Sequence, residues 1–444
     1  GKGKCFFLQK LLKDQNEPFQ IEFNGLLNRE LDVSINIHDS LIIVENKVPF
    51  EKDSLFNSNP KLIRLDKKLL SLEAEKVTER KEGLPMIGLG LDYSIISKRD
   101  VPGLEMNGQD AIMPMLTVTL PIFRKKYNAK QVYDWIYKKK ASTFDEMTNL
   151  SKDLRAYLNE FYAVGSLSVH TRQKSSDGTE KFLFQLSDGN LIETVLMRHN
   201  YGNSVCVTTQ LGCNIGCSFC ASGLLKKTRD LEIEEIVLQI TEIERLTNER
   251  VSHIVVMGIG EPFDNFFNTM RFIDIVNHPS GLEIGARHIT ISTSGIVPQI
   301  REFAERNKQI NLAISLHASN NAIRTKIMKV NIAYPIEEVI DAAKYYISQT
   351  NRRITFEYIL LEHVNDEIEH ADELSDLLRG INCHVNLIRY NTVTEFYYRG
   401  SKESRASAFH QRLVKRGINT TLRKEQGSDI DAACGQLRSK NTKN

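Results

Sequence analysis

Three cysteines of the segment 213–220 are spaced so that they could bind a redox-active metal cluster: Cys213, Cys217 and Cys220. The pattern C-x3-C-x2-C lets three thiolates hold three irons of a 4Fe-4S cluster and leaves the fourth iron without a protein ligand. An iron with an open position can bind a small molecule, so the spacing predicts a catalytic cluster. The alternative is a structural zinc ribbon with Cys206 as its fourth ligand, although such ribbons usually divide their cysteines between two distant pairs.

Alternating strands and helices are predicted to position this cysteine segment. The clearest helix covers residues 234–246, where Ile236, Ile240 and Ile243 lie on one face. Strands are predicted at residues 204–208, 253–257, 288–292, 311–316, 354–360 and 384–388. Six such units indicate an α/β fold with a parallel sheet, either an open doubly wound sheet or part of a βα barrel.

Polar and glycine-rich residues follow most of these strands. The cysteine segment follows the first strand, residues 258–262 the second, Ser292 to Gly295 the third, His317 the fourth and Asn391 the sixth. Parallel βα folds place functional groups at the C-terminal ends of their strands, so we expect these residues to meet at one mouth.

The chain before residue 201 divides into three parts. Residues 1–120 receive no function; a strand is predicted at 41–44 and a charge-dense helix at 61–81. Residues 121–165 have helical periodicity, with Ser151 as an N-cap, and predict a small helical accessory domain. Residues 166–200 predict a β-hairpin layer with turns at Asp177-Gly178 and Asp188-Gly189. The remaining residues, 201–444, form the predicted barrel.

Composition narrows the class of protein. The chain has 444 residues, of which 41% are hydrophobic and 26% charged, as in ordinary folded proteins. No window approaches the roughly 18 apolar residues of a membrane span, which favours a cytoplasmic protein that does not enter the membrane. A net charge of +2 limits nucleic-acid contact to local basic patches. The candidate patches are Arg124, Lys125, Lys126, Lys130 and 138–140, and near the C-terminus Lys415, Arg416, Arg423, Lys424, Arg438, Lys440 and Lys443.

Several motifs together resemble the radical S-adenosylmethionine (SAM) superfamily and, within it, the RlmN/Cfr family of dual-specificity RNA methyltransferases, closest to RlmN. These motifs are Cys206-Val-Thr-Thr-Gln-Leu-Gly-Cys213, Gly258-Ile-Gly-Glu-Pro262, Ser315-Leu-His317, Asn386-Leu-Ile388 and Asp429-Ile-Asp-Ala-Ala-Cys-Gly-Gln-Leu437. The resemblance extends from about residue 125 to 438. It implies a partial (βα)6 TIM-like radical SAM barrel, joined to the helical domain through the hairpin layer.

The resemblance also implies roles for individual residues. Cys213, Cys217 and Cys220 would bind the 4Fe-4S cluster. Cys434 would be methylated, Cys206 would be its partner thiol, and Glu193 would be the general base. The residues that would contact SAM are Gly260, Glu261, Ser292, Ser315, Leu316, His317 and Asn391.

The implied reaction is methylation of C2 of an adenine in 23S rRNA, near the peptidyl transferase centre, and in tRNA. It would proceed through methyl-Cys434, consume two SAM molecules per turnover, and take an electron from a donor such as flavodoxin; the enzyme would be a monomer. Two alternatives stay open. One is C8 methylation of the same adenine, as in Cfr-type resistance proteins, because Pro262 is RlmN-like whereas Arg389 is closer to Cfr. The other is a zinc-ribbon RNA-binding protein without catalysis.

Overall fold

The computed structural model describes residues 19–24, 30–38, 41–46, 63–66, 126–306, 309–423, 426–432 and 436–437. The chain divides into two compact units, Gly1–Gly165 and Ser166–Asn444. The cysteine segment and all strands predicted after residue 166 belong to the second unit.

The first unit contains a four-stranded antiparallel sheet. Its strands, in order across the sheet, are β1 (Phe19–Asn24), β2 (Glu30–His38), β3 (Leu41–Asn46) and β4 (Ile63–Asp66). The strand predicted at 41–44 is confirmed. The helix predicted at 61–81 is wrong over β4, which pairs with β3, and residues 67–81 lie outside the described residues. In β4 apolar and charged residues alternate with the two-residue period of a strand, which the charge density concealed.

Two helices complete the described part of the first unit: α1 (Lys126–Tyr137) and α2 (Lys152–Phe161). Ser151 caps α2 as predicted, since its hydroxyl accepts the Leu154 N–H at 3.3 Å. Val132 of α1 and Leu158 of α2 belong to one buried apolar cluster. The helical periodicity of the sequence therefore corresponds to a small core between two helices.

The second unit is built on one ten-stranded sheet. It begins with the three predicted hairpin strands, β5 (Ser168–Lys174), β6 (Glu180–Gln185) and β7 (Leu191–His199), which pair antiparallel. β7 then pairs antiparallel with β8 (Gly202–Cys206), the first barrel strand. The hairpin strands thus extend the barrel sheet itself.

Seven strands of this sheet are parallel, and their order across the sheet is their order in the chain. β8 is followed by a short antiparallel pair, β9 (Gln210–Leu211) and β10 (Arg229–Asp230). The further parallel strands are β11 (Val251–Val256), β12 (Ile289–Thr293), β13 (Asn311–Ser315), β14 (Ile354–Leu360), β15 (Cys383–Arg389) and β16 (Thr420–Leu422). A doubly wound sheet would reverse its strand order at a switch point. The uninterrupted order identifies a partial βα barrel, with β16 as a strand that the sequence pattern did not predict.

Helices connect the successive parallel strands. They are α3 (Ile233–Thr247), α4 (Phe266–Asn277), α5 (Val297–Glu305), α6 (Asn321–Ile327), α7 (Ile336–Thr350), α8 (Ile368–Leu377) and α9 (Glu403–Lys415). In the part of the chain that the structure describes, no helix has both the length and the apolar character needed to cross a bilayer. On β12, Ile289 and Ile291 are fully buried whereas Thr290 and Ser292 are less so, as the two-residue period requires.

Candidate active site

The C-terminal ends of the parallel strands bring the predicted site residues to one edge of the barrel. The cysteine segment follows β8 and β9, Gly260 follows β11, His317 follows β13, and the buried Asn391 follows β15. Because these strands are parallel neighbours, their ends meet on the same side of the sheet. The prediction of one common mouth is confirmed at the level of the strands.

The cysteine segment is a loop closed by backbone contacts. Gly212 has a positive φ of +79°, and a Cβ at this position would lie 2.3 Å from the carbonyl oxygen of Lys226. The N–H of Cys213 donates to the carbonyl oxygen of Leu225 at 2.9 Å. Further along, the Ser218 N–H donates to the carbonyl oxygen of Ile327 at 2.9 Å. Glycine at position 212 therefore permits the close approach that shapes the loop.

The three thiols of this loop are partly exposed, and they do not converge on one point. Removal from water raises the pKa of Cys213 to about 12, and it raises that of Cys217 well above its ordinary value. Among the described residues, no three His, Cys, Asp or Glu side chains are placed to hold a single metal ion. A zinc ribbon needs four such ligands on one ion, whereas a 4Fe-4S cluster distributes its thiolates over separate irons. The donor set of the loop, three cysteine thiols, is that of a 4Fe-4S cluster with one iron left open.

A cluster of buried apolar side chains supports the cysteine loop. Phe219 is buried and belongs to a cluster with Ile359, Ile388 and Tyr390 from β14, β15 and the residue after β15. Cys217 and Cys220 pack against this cluster at its edge. The sequence between the cysteines thus anchors the loop to the far strands of the barrel.

Gly260 and Glu261 shape the loop that follows β11. Gly260 has a φ of +109°, and a Cβ there would lie 2.6 Å from Cβ of Gln210. The buried carboxylate of Glu261 accepts N–H groups from Phe263 at 3.0 Å and from Ser294 at 2.7 Å. Burial raises the pKa of Glu261, while these hydrogen bonds oppose the shift. Its side chain ties the β11 loop to the β12 loop.

Ser292 and Ser315 meet on the inner face of the sheet. Ser292 of β12 is paired with Ala313 of β13, two residues from Ser315, and the two hydroxyl oxygens lie 3.4 Å apart. Both serines are partly exposed. They present a small polar surface between two neighbouring strands.

Leu316 and His317 form the turn after β13. Leu316 has no exposed surface, and its N–H donates to the carbonyl oxygen of Glu357 at 3.1 Å. His317 has a φ of +56°, and its Nδ1 accepts the Ile359 N–H at 3.1 Å, which requires an unprotonated Nδ1. Burial, with a contribution from Arg324, lowers the pKa of His317 to about 3. The imidazole is therefore neutral, and it contacts the Phe219 ring edge to face at 5.1 Å.

Glu193 and Cys206 lie on one face of the sheet. Val195 of β7 is paired with Cys206 of β8, and Glu193 is two residues before Val195 on the same face. Lys181 of β6 is opposite Val195, and its Nζ lies 3.5 Å from the Glu193 carboxylate. Both Glu193 and Cys206 are buried.

The residues that flank Cys434 lie against this same face. Cys434 itself is outside the described residues. Ala432 and Leu437, on either side of it, are buried in one apolar cluster with Val195 and Cys206. Lys181 also donates to the carbonyl oxygen of Asp431 at 3.2 Å, which connects Glu193 to this C-terminal segment.

Several buried polar residues that hold the site were missed by the sequence reasoning. Gln239 of α3, which has no exposed surface, bonds both the N–H and the C=O of Thr208, each at 2.8 Å. Asn365 binds the carbonyl oxygen of His317 at 2.7 Å. The fully buried Arg324 binds the carbonyl oxygens of Ser294 and Leu316. A lone Gln inside the apolar stripe of α3 was an available signal, but the partners of Asn365 and Arg324 are set by the fold.

Several described residues of the candidate basic patches have partners within the protein. Lys130 pairs with Asp134 at 2.9 Å, and Lys139 lies 3.7 Å from the Trp135 ring centroid. Arg416 pairs with Asp376. Residues 124–125, 424 and 438–444 lie outside the described residues, so contact of the patches with RNA stays a prediction.

The partial barrel with its cysteine loop defines a radical SAM enzyme, and comparison with known proteins agrees. Residues 207–374 match the model of the radical SAM superfamily, and residues 118–164 match that of the ribosomal RNA large subunit methyltransferase N-terminal domain. A radical SAM methyltransferase from Sphaerobacter thermophilus has a similar structure, with a TM-score of 0.71 and 42% identity, covering 73% of this chain and 97% of the other.

Curated relatives narrow the assignment. A protein of Spiroplasma citri called probable dual-specificity RNA methyltransferase RlmN is 60% identical over 71% of this chain and 92% of its own length. The Bacillus subtilis protein of the same description is 56% identical over 71% of this chain and 88% of its own length. The chain belongs to the RlmN family of dual-specificity radical SAM RNA methyltransferases. Membership implies SAM, a 4Fe-4S cluster and an RNA substrate.

Proposed function

We propose that this enzyme methylates C2 of an adenine in 23S rRNA, near the peptidyl transferase centre, and in tRNA, with Cys434 as the carrier of the methyl carbon. The observation that carries the proposal is the shared face of Glu193, Cys206 and the residues flanking Cys434. Cys434 is two positions after Ala432 in the chain. Ala432 is itself clustered with Cys206.

The proposed reaction assigns a separate step to each of these residues. The Cys434 thiolate first takes a methyl group from one SAM by displacement. When bound, the cluster held by Cys213, Cys217 and Cys220 supplies the electron that lets a second SAM yield a 5'-deoxyadenosyl radical. Loss of a hydrogen atom from methyl-Cys434 then allows its carbon to add to C2 of the adenine. The adduct radical then loses one electron, which the bound cluster would take back, and Glu193 accepts the C2 proton. Attack of the Cys206 thiolate on the Cys434 sulfur breaks the sulfur–carbon bond and forms a Cys206–Cys434 disulfide, while the released carbon takes up a proton and becomes the methyl group.

The proposed SAM site is the mouth formed by Gly260, Glu261, Ser292, Ser315, Leu316, His317 and Asn391. The neutral His317 and the paired serine hydroxyls offer hydrogen bonds, and Gly260 lets the loop after β11 pack closely against Gln210. An adenine must leave its base stack to reach such a mouth, so the substrate base lies in a loop or a single strand. A donor such as flavodoxin would supply the electron.

Nucleoside mass spectrometry tests this proposal. Anaerobically reconstituted enzyme, given SAM, a reductant and an rRNA fragment or tRNA, should produce 2-methyladenine. Cys434→Ala should abolish the product, and Cys206→Ala or Glu193→Gln should leave RNA covalently attached to the protein. Cys383→Ala is the matched control, because Cys383 is a buried thiol of β15 outside this face. Exclusive formation of 8-methyladenine, or activity without Cys434, would overturn the proposal.

A further inference from the structure

The C-terminal segment that contains Cys434 has little secondary structure of its own in the residues described. Within 426–432 and 436–437 it has a single 3-10 turn, Ser428–Ile430, and no strand. A segment without ladder hydrogen bonds must be fixed by other contacts if it is to hold a group in one place. The structure contains such contacts on both sides of Cys434.

The upstream contacts come from the turn between β5 and β6. The Ser175 hydroxyl donates to Asp429 Oδ1 at 2.6 Å, and the Ser176 N–H donates to Asp429 Oδ2 at 3.1 Å. In the opposite direction, the Gly427 N–H donates to Asp177 Oδ2 at 2.9 Å. Two carboxylates, one from each segment, therefore accept hydrogen bonds from the other segment.

Close packing reinforces this upstream contact. Gly427 has a φ of +64°, and a Cβ there would lie 2.8 Å from Cβ of Ala432 and 3.0 Å from Cγ2 of Thr179. The carbonyl oxygen of Gly427 accepts the Ala432 N–H at 2.9 Å. The turn from Gly427 to Ala432 is thus closed on itself and packed against the β5–β6 turn.

The downstream contact comes from the turn that follows the cysteine loop. The buried hydroxyl of Ser222 donates to the carbonyl oxygen of Leu437 at 3.0 Å. Ser222 is two residues after Cys220, so this bond ties the end of the segment to the cluster-bearing loop. Ala432, Gln436 and Leu437 are all buried.

We propose that the β5–β6 turn and Ser222 form a two-sided clamp that holds the described residues on either side of Cys434 against the face of Glu193 and Cys206. The inference rests on the proposed role of Cys434. It assigns the hairpin a function beyond extending the sheet: Asp429, Ser175 and Asp177 are positioning residues that act through the segment. The two clamped sides, residues 427–432 and 436–437, are separated by only three positions in the chain.

The test compares Asp429→Asn with Ser428→Ala. Asparagine keeps the size of the side chain, but its amide N–H group would face the N–H or O–H donors of Ser175 and Ser176. Ser428 is the exposed neighbour of Asp429 and lies in the same turn, which makes it a matched control. Iodoacetamide labelling of Cys434 in the cluster-free protein, followed by peptide mass spectrometry, reports on the clamp without requiring activity.

We expect Asp429→Asn to speed labelling of Cys434 and to lower RNA methylation by about tenfold, the effect of one lost charge-assisted hydrogen bond. Labelling of the buried Cys383 in the cluster-free protein should not change, and neither should the iron content of the reconstituted enzyme. Ser175→Ala should act in the same direction, and the double variant should be no worse than Asp429→Asn alone, because that variant has already lost the bond between Ser175 and Asp429.

Two results would overturn the clamp: Asp429→Asn behaving like Ser428→Ala in both measurements, or faster labelling of Cys383 together with Cys434, which would indicate general loosening. Failure of the proposed function is distinguishable, because it would appear as activity retained in Cys434→Ala whatever the labelling rates are.

Discussion

Replacing Arg324 by methionine removes a fully buried cation whose hydrogen-bond partners are all neutral oxygens. The guanidinium donates four hydrogen bonds, to the carbonyl oxygens of Leu316, Tyr334 and Ser294 and to the amide oxygen of Asn331. At the lower end for a charged donor, about 1.5 kcal/mol each, these bonds contribute ~6 kcal/mol. With methionine, roughly 3 kcal/mol of this loss is offset, because folding no longer removes a guanidinium group from water. We therefore expect a net loss of about 3 kcal/mol in the free energy of unfolding.

Urea unfolding of the cluster-free protein, followed by far-ultraviolet circular dichroism, measures this loss. Arg301→Met is the control, because Arg301 is exposed and stacks on the Tyr345 ring at 5.2 Å, so its replacement should change stability by less than about 0.5 kcal/mol. Arg324→Lys keeps the charge without the planar fork and should fall between the two. If Arg324→Met were no less stable than Arg301→Met, the interpretation of Arg324 as the tie between the β12 and β13 ends would be refuted.

Three further outcomes are expected. Gly212→Ala should abolish iron binding, measured as iron per protein after reconstitution, because its Cβ would lie 2.3 Å from a backbone oxygen. Gly189→Ala is the control: Gly189 has a φ of +84° but open space around it, so this variant should still bind iron. Gln239→Leu should cost about 2–4 kcal/mol in urea unfolding, because both backbone groups of the buried Thr208 lose their partner; a cost below about 1 kcal/mol would contradict this. The pKa of His317 is lowered in the folded protein, so between pH 6.5 and about 3 the unfolded chain binds a proton that the folded chain does not. The free energy of unfolding therefore falls as the pH falls through this range. His317→Gln should make the urea midpoint less dependent on pH between pH 7 and pH 5.

The accuracy of the sequence predictions differed between elements for physical reasons. Period-two and period-3.6 patterns identified β14 at its observed bounds and the N-cap of α2. The three-residue β16 is too short to show a period, and the charged residues around β4 led to the prediction of a helix there. Local patterns are therefore sufficient where an element is long and half-buried, and insufficient where it is short or highly charged.

By itself the sequence determined the family, the spacing of the cluster ligands and which predicted strands are followed by polar residues. These are local or motif properties that the order of residues carries directly. The strand pattern left both a doubly wound sheet and a partial barrel open. The tertiary structure showed the barrel that the family resemblance implies, because that choice depends on which strands become neighbours. It also decided that Glu261 ties two loops together and that Ser175, Asp177 and Ser222 contact the segment around Cys434. Such contacts join residues as far apart in the chain as Ser175 and Asp429, whose separation of 254 positions no sequence period can span.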